Sequence, residues 1–168
     1  MKKLIHILND LVKKNIIEKY AIGGAVAVIF YTETINTKDI DVFVATQLTR
    51  SKYGIVHLGS IYEYLKKAGC KMEGQYFIIE GIPVDFIAAY DDLTMEAVDN
   101  AVDRLYAKIK VKVFRPEYIA AIALQTGRNR DLRKIDLLMT ETKLDEKLLK
   151  DILKRHGLLE KWGRYINE

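Results

Sequence analysis

The chain has 168 residues, of which 49% are hydrophobic and 30% charged, enough for one compact domain with a continuous core. Its net charge of +4, from 27 basic and 23 acidic residues, permits a phosphate-bearing partner without demanding one. A single cysteine, Cys70, excludes an internal disulfide framework and a multi-cysteine zinc site, and fits a reducing cytoplasm.

The N-terminal "MKKLIHILNDLVKKNIIEKY" starts with lysines, as a signal peptide does, but Asn9, Asp10, Lys13 and Lys14 interrupt any apolar run. No stretch of about 20 apolar residues follows, so no membrane span is expected. Leu4, Ile5, Leu8, Leu11, Val12 and Ile16 recur at helical spacing and predict an amphipathic helix ending near Lys19. "YAI" then reads as a very short strand. Gly23 and Gly24 interrupt it, and "AVAVIFY" is too apolar for a surface loop and reads as a short buried helix.

After the polar connection "ETINTK", "DIDVFVA" reads as a strand. Ile40, Val42 and Val44 take one face; Asp39, Asp41 and Phe43 take the other. Ser60 and Glu63 have capping-box spacing at the head of a helix over "IYEYLKKAG", and Gly69 stands where it would end. "QYFIIEGIPVDFIAA" predicts two strands joined by a tight turn at Glu80-Gly81. "LTMEAVDNA" predicts a short helix, and "AKIKVKVF" an edge strand with Ile109, Val111 and Val113 inward and lysines outward. From Pro116, which suits a first helical turn, "PEYIAAIALQT", "RDLRKIDLLMT", "DEKLLKDILKRH" and "LLEKWGRYI" follow helical periods, punctuated by Gly127 and Gly157. The expected architecture is α/β, a mixed sheet flanked by helices over residues 1–114, with a helical C-terminal region over 115–168 packed on it as one unit.

Asp39 and Asp41 pose the chemical question. Two apart on a strand, their side chains leave the same face at a Cα separation of roughly 6.5 to 7 Å. Carboxylates at that spacing repel unless protons or cations neutralise them, and a hard cation with oxygen ligands does so. A solvated strand end is the competing explanation. Asp85, flanked by Val84 and Phe86, is a second acid in an apolar strand; an exposed hairpin edge would equally explain it. If its strand lies beside "DIDVF", all three acids share one face and can serve a pair of divalent ions. Gly23 and Gly24 sit where backbone N–H groups could face an anion.

In this order, "GGAVAVIFYTETINTKDIDVFV" followed by "PVDFI" resembles the active-site signature of the DNA polymerase β-like nucleotidyltransferase superfamily. It is most similar to small proteins related to the AbiEii-type nucleotidyltransferase toxins, in which a "GR-x-K-D" element follows an apolar helix. Here "LQTGRNRDLRKIDLL" holds that place, with Arg128, Arg130 and Asp131. The resemblance implies a nucleotidyltransferase fold and transfer of a nucleoside monophosphate from a nucleoside triphosphate to an acceptor hydroxyl of a tRNA, a protein or a small molecule. It implies Mg²⁺ or Mn²⁺ at Asp39, Asp41 and Asp85, with Gly23, Gly24, Lys38 and Arg128 on the nucleotide. Many relatives carry an arginine shortly before the acidic pair, where this chain has only Lys38, and a lysine in the helix before "GR", where it has Ala123. A non-catalytic binding or regulatory module, half of a toxin and antitoxin pair with a small protein partner, therefore stays open beside the enzyme.

Three further readings complete the sequence. Arg128, Arg130 and Asp131 either line the cleft or form an ion-pair cluster at a helix start. His6, His57 and His156 share no metal-ligand spacing, and His156 before Gly157 reads as a helix C-cap. Cys70 reads as core.

Overall fold

The computed structural model describes residues 1–33, 36–46 and 58–167. Thr34 and Ile35 of the polar connection, and His57, lie outside the described residues. In chain order the elements are α1 (Lys2–Lys13), β1 (Lys19–Ile22), α2 (Gly24–Ile29), β2 (Ile40–Ala45), α3 (Gly59–Lys67), β3 (Lys71–Glu73), β4 (Tyr76–Ile79) and β5 (Ile82–Ala88). There follow α4 (Asp92–Asp99), β6 (Val102–Tyr106), β7 (Ile109–Val113), α5 (Pro116–Thr126), α6 (Asn129–Glu141), α7 (Glu146–Arg155) and α8 (Leu159–Ile166). None of the described helices is long and apolar enough to cross a membrane.

The described strands form one mixed sheet in the order β3-β4-β5-β2-β1-β7-β6. β2 lies at its middle, antiparallel to β1 and parallel to β5. Strand alternation then separates two faces. Tyr20, Ile22, Ile40, Val42, Val44, Val84 and Phe86 are all buried on the first, where the Tyr20 hydroxyl donates to Asn9 Oδ1 of α1 at 2.9 Å. Asp39, Asp41, Phe43, Asp85 and Ile87 belong to the second, where Phe43 meets Phe114 with ring centroids 4.9 Å apart. α5 is buried along most of its length and packs on α2, α4, α6 and α7, which makes it the spine of the helical layer.

α1 ends at Lys13, well short of Lys19. Asn15 takes a left-handed φ of 54°, the Asn15 N–H donates to the Val12 carbonyl, and the Ile16 N–H reaches back to Leu11 at 2.9 Å. This is a Schellman ending with asparagine in glycine's usual place, and Ile16 and Ile17 continue the apolar pattern outside the helix. Ser60 caps nothing, because α3 already begins at Gly59 with Leu58 as its N-cap. Strand β7 is not an edge: β6 pairs outside it, and the two-residue turn uses left-handed Ala107 and Lys108. Strand β6 escaped the sequence because its "VDRLY" carries two charges and an exposed Leu105, as an outermost strand can. Short, wholly exposed β3 gave no apolar signal either. The Glu80-Gly81 turn is as expected, with φ of 53° and 77° and Ile79 opposite Ile82.

At the C-terminal end, Gly127 and Gly157 take left-handed φ values and close α5 and α7. Lys161 of α8 donates to the Gln125 carbonyl at 3.1 Å, and the Tyr165 hydroxyl donates to Asp136 of α6. α8 thus rests on the joint between α5 and α6. His156 is the C-cap of α7, as expected, and its Nε2 lies 2.6 Å from Glu96 Oε2 of α4. Tyr118 of α5 and Arg155 donate to the same carboxylate. Cys70 is buried.

Candidate active site

The parallel pairing of β2 with β5 places Asp41 directly opposite Asp85. Asp39, one residue before β2, exerts its charge on both of the others. Asp41 is half-buried, and burial first, then the Asp39 charge and that of Asp85, push its carboxyl above the ordinary aspartate range; Lys134 opposes this. Asp85 is raised by burial and by Asp39, against a 2.6 Å hydrogen bond from the Gln75 side-chain amide. Asp41 and Asp85 thus share an electrostatic environment that disfavours their simultaneous ionisation.

The side chains are anchored individually. Gln75 occupies one oxygen of Asp85, and the Thr37 hydroxyl donates to the backbone carbonyl of Asp39 at 3.0 Å and to its Oδ1 at 3.3 Å. Among the described residues, no group of three acid, histidine or cysteine side chains stands close enough to enclose an ion. As a donor set, three carboxylates without sulfur or imidazole suit a hard, oxygen-seeking cation. Asp41 adds a built feature: a Cβ on Gly24, whose φ is 55°, would lie 1.8 Å from Asp41 Oδ2. Glycine is therefore required at 24 twice over, for its backbone angle and to cradle the carboxylate.

Gly23 has a different role. Its N–H donates to the Asp41 carbonyl at 2.9 Å, tying the end of β1 to β2, and a Cβ there would collide with Phe43 and Phe114. That N–H is spent on the sheet, so the donors left for an anion belong to the first turn of α2.

Opposite Asp41 stands a wall made by α5 and α6. A cavity of about 130 Å³ is lined by Gly24, Asp41, Phe43, Ala123, Asp131 and Lys134 among others, with Arg128 on its rim. Asp131 is 3% exposed and takes Arg128 Nε at 2.6 Å and Lys134 Nζ at 2.7 Å. Burial opposes its ionisation, but these two cations outweigh that and hold its carboxyl below the usual range. The ion-pair cluster at the start of α6 thus forms with Lys134 rather than Arg130, and its three members line the cavity. Arg130 points to solvent. Lys38, exposed, lies with Thr37 and Asp39 on a separate, largely apolar cavity of about 590 Å³, bounded by Val26, Phe30 and Pro83.

Sequence reasoning missed Gln75, Tyr76 and Lys134. Tyr76 precedes the Phe77–Val84 pair of the β4–β5 ladder, and its phenol is pushed up by burial, then by Asp39 and Asp85. Only Lys134 left a trace: it follows Asp131 by three residues, a spacing that makes neighbours on a helix.

A family model described as "Nucleotidyl transferase of unknown function (DUF2204)" matches residues 1–158. The chain belongs to this nucleotidyl transferase family. The DUF2204 match spans the acidic face, the α5–α6 wall and all of α7. No curated protein sequence matches the chain. Among solved structures, it is similar to the antibiotic-resistance factor ANT(2″)-Ia in solution, with 16% identity, 96% of each chain covered and a TM-score of 0.53. It is also similar to an antigenic nucleotidyltransferase-like protein from Paracoccidioides brasiliensis, with 16% identity, 99% of this chain and 91% of that one covered, and a TM-score of 0.53. At such identity the likeness is one of fold, and the fold is that of nucleotidyltransferases.

Proposed function

We propose that this DUF2204 protein transfers a nucleoside monophosphate from a nucleoside triphosphate to an acceptor hydroxyl, with Asp39, Asp41 and Asp85 as the reacting centre. The register of Asp41 against Asp85 carries this reading, because it sets acids from two separate strands on one face of the sheet, with Asp41 also lining the cavity under the α5–α6 wall. Asp39 and Asp41 would hold Mg²⁺ or Mn²⁺, with Asp85 completing the set. Such ions supply charge neutralisation at the phosphates and acidify a bound hydroxyl.

The residues of the chain do the rest. Asp85, raised by its surroundings, is suited to accept the acceptor's proton once Gln75 releases its oxygen. The acceptor oxygen then bonds to the α-phosphorus, the bond from that phosphorus to the bridging oxygen breaks, and pyrophosphate leaves with the electron pair. The first turn of α2 and Arg128 orient the triphosphate, while Phe43 and Phe114 close the floor of the cleft to water. Lys38 stands at the Asp39 end, on the side of the apolar cavity, where an acceptor could enter.

A small-molecule acceptor has the support of the fold shared with an antibiotic-resistance factor; a tRNA end and a protein hydroxyl are the other two. The finer kinship with AbiEii-type toxins rests on the Gly127–Asp131 run and belongs to this proposal, as does a small protein partner. Labelled ATP, GTP, CTP and UTP should each be offered with Mn²⁺ and with tRNA, the protein itself and an aminoglycoside as acceptors. Transfer of label from one of them is expected, and Asp41→Asn should lower it by about a hundredfold or more. The anchoring of Asp85 by Gln75 favours a second reading, a nucleotide-binding regulatory module. Triphosphate binding that depends on Asp41, with no transfer to any acceptor, would establish it instead.

A further inference from the structure

The cleft wall contains a cation that neither the family model nor the structural likenesses assign. Lys134 leaves α6 and places Nζ 2.7 Å from Asp131 Oδ1, with its side chain only 16% exposed. It lines the same cavity as Ala123 of α5 and as Asp41, and its charge is felt at Asp41. Ala123, itself 4% exposed, contributes only a methyl group to that lining. The Asp131 contacts use one donor of Arg128 and one of Lys134, so most of the guanidinium N–H groups and the remaining ammonium protons stay available. A buried carboxylate thus fixes two cations beside an acid-lined cleft, leaving a net positive charge at the wall.

We propose that Lys134, with Arg128 and oriented by Asp131, is the clamp for the β- and γ-phosphates of the triphosphate, supplied from α6 into the cavity that Ala123 also lines. The inference rests on the triphosphate reading above and assigns the wall that receives the leaving pyrophosphate. Pyrophosphate gains charge as the bond to the α-phosphorus breaks, and cations already fixed in place stabilise that charge without reorganising. Arg128 contributes a planar fork suited to two phosphate oxygens, whereas Lys134 contributes a compact charge deeper in the cavity. Asp131 is a positioning residue, since its oxygens are taken by the two cations.

The test uses the full chain and isothermal titration with inorganic tripolyphosphate in the absence of metal, then with ATP, GTP, CTP, UTP and AMP in the presence of Mg²⁺. Lys134→Gln should weaken tripolyphosphate and the preferred triphosphate by about tenfold or more while leaving AMP unchanged. Lys134→Arg should restore most of the loss. Arg133→Gln removes the same charge one residue away on the exposed side of α6 and should change nothing. Should Lys134→Gln fail to fold, Arg128→Gln, whose side chain is 58% exposed, reads the same clamp. Equal binding of tripolyphosphate and triphosphate by wild type and Lys134→Gln overturns the clamp and leaves the triphosphate reading standing. A wild-type chain that binds none of the four triphosphates overturns both.

Discussion

At the scale of single residues, the site depends on close approaches that a residue list does not reveal. Gly24 is the sharpest case, because two independent demands fall on one position: a left-handed backbone and a carboxylate where a Cβ would stand. Gly24→Ala should destabilise the chain by about 2 kcal/mol or more, as the left-handed penalty and the displaced Asp41 add. Gly69→Ala provides the comparison, since its φ is 78° but nothing lies within 4 Å of the added carbon. It should cost only about 1 kcal/mol in urea unfolding. The sequence showed that a glycine pair precedes the acids, but not that Gly23 serves the sheet and Gly24 serves Asp41. That division depends on the antiparallel pairing of β1 with β2, which no local pattern encodes.

At the scale of elements, legibility followed burial. β2 and β5 alternate cleanly because each has one face in the core, so their acids stood out as exceptions. β3 and β6 lie at the two ends of the sheet, expose most of their residues and left no alternation to read. The reach of Lys134 into the cleft was equally hidden, because it depends on how α6 turns against α5 after Gly127. The contacts among α4, α5 and α7 converge on Glu96, which accepts from Tyr118, Arg155 and His156. Burial opposes ionisation of Glu96, but those bonds outweigh it and lower its carboxyl below the ordinary value. Its stabilisation is therefore complete above the unfolded carboxylate range and is lost as pH falls through the lowered native value. Glu96→Gln should cost about 1–2 kcal/mol at neutral pH, and its urea midpoint should converge on that of the wild type as pH drops below about 4.5.

At the scale of the whole molecule, the fold brings together acids from two strands and cations from a helix more than forty residues further along. Ligands that need both walls should stabilise the entire cooperative unit. At a hundredfold excess over its dissociation constant, a triphosphate with Mn²⁺ should add about 2.7 kcal/mol, or roughly 5–10 °C in Tm for a chain of this size. Removing the metal with a chelator should reverse most of that shift, and Asp41→Asn should abolish the metal-dependent part. A melting curve that is indifferent to every triphosphate would count against the proposed site as a whole.

The seat of α8 on the α5–α6 joint has an optical consequence. Trp162 is the sole tryptophan of the chain and is half-buried. Its neighbour Lys161 holds the last turn of α5, while Tyr165, whose ring centroid lies 5.7 Å from the indole, holds α6. The molecule therefore carries its own fluorophore on the helix that holds the α5–α6 joint. Separation of α8 from that joint should change the indole emission, so urea unfolding of the C-terminal helices can be followed without a label by a signal that Trp162→Phe would extinguish.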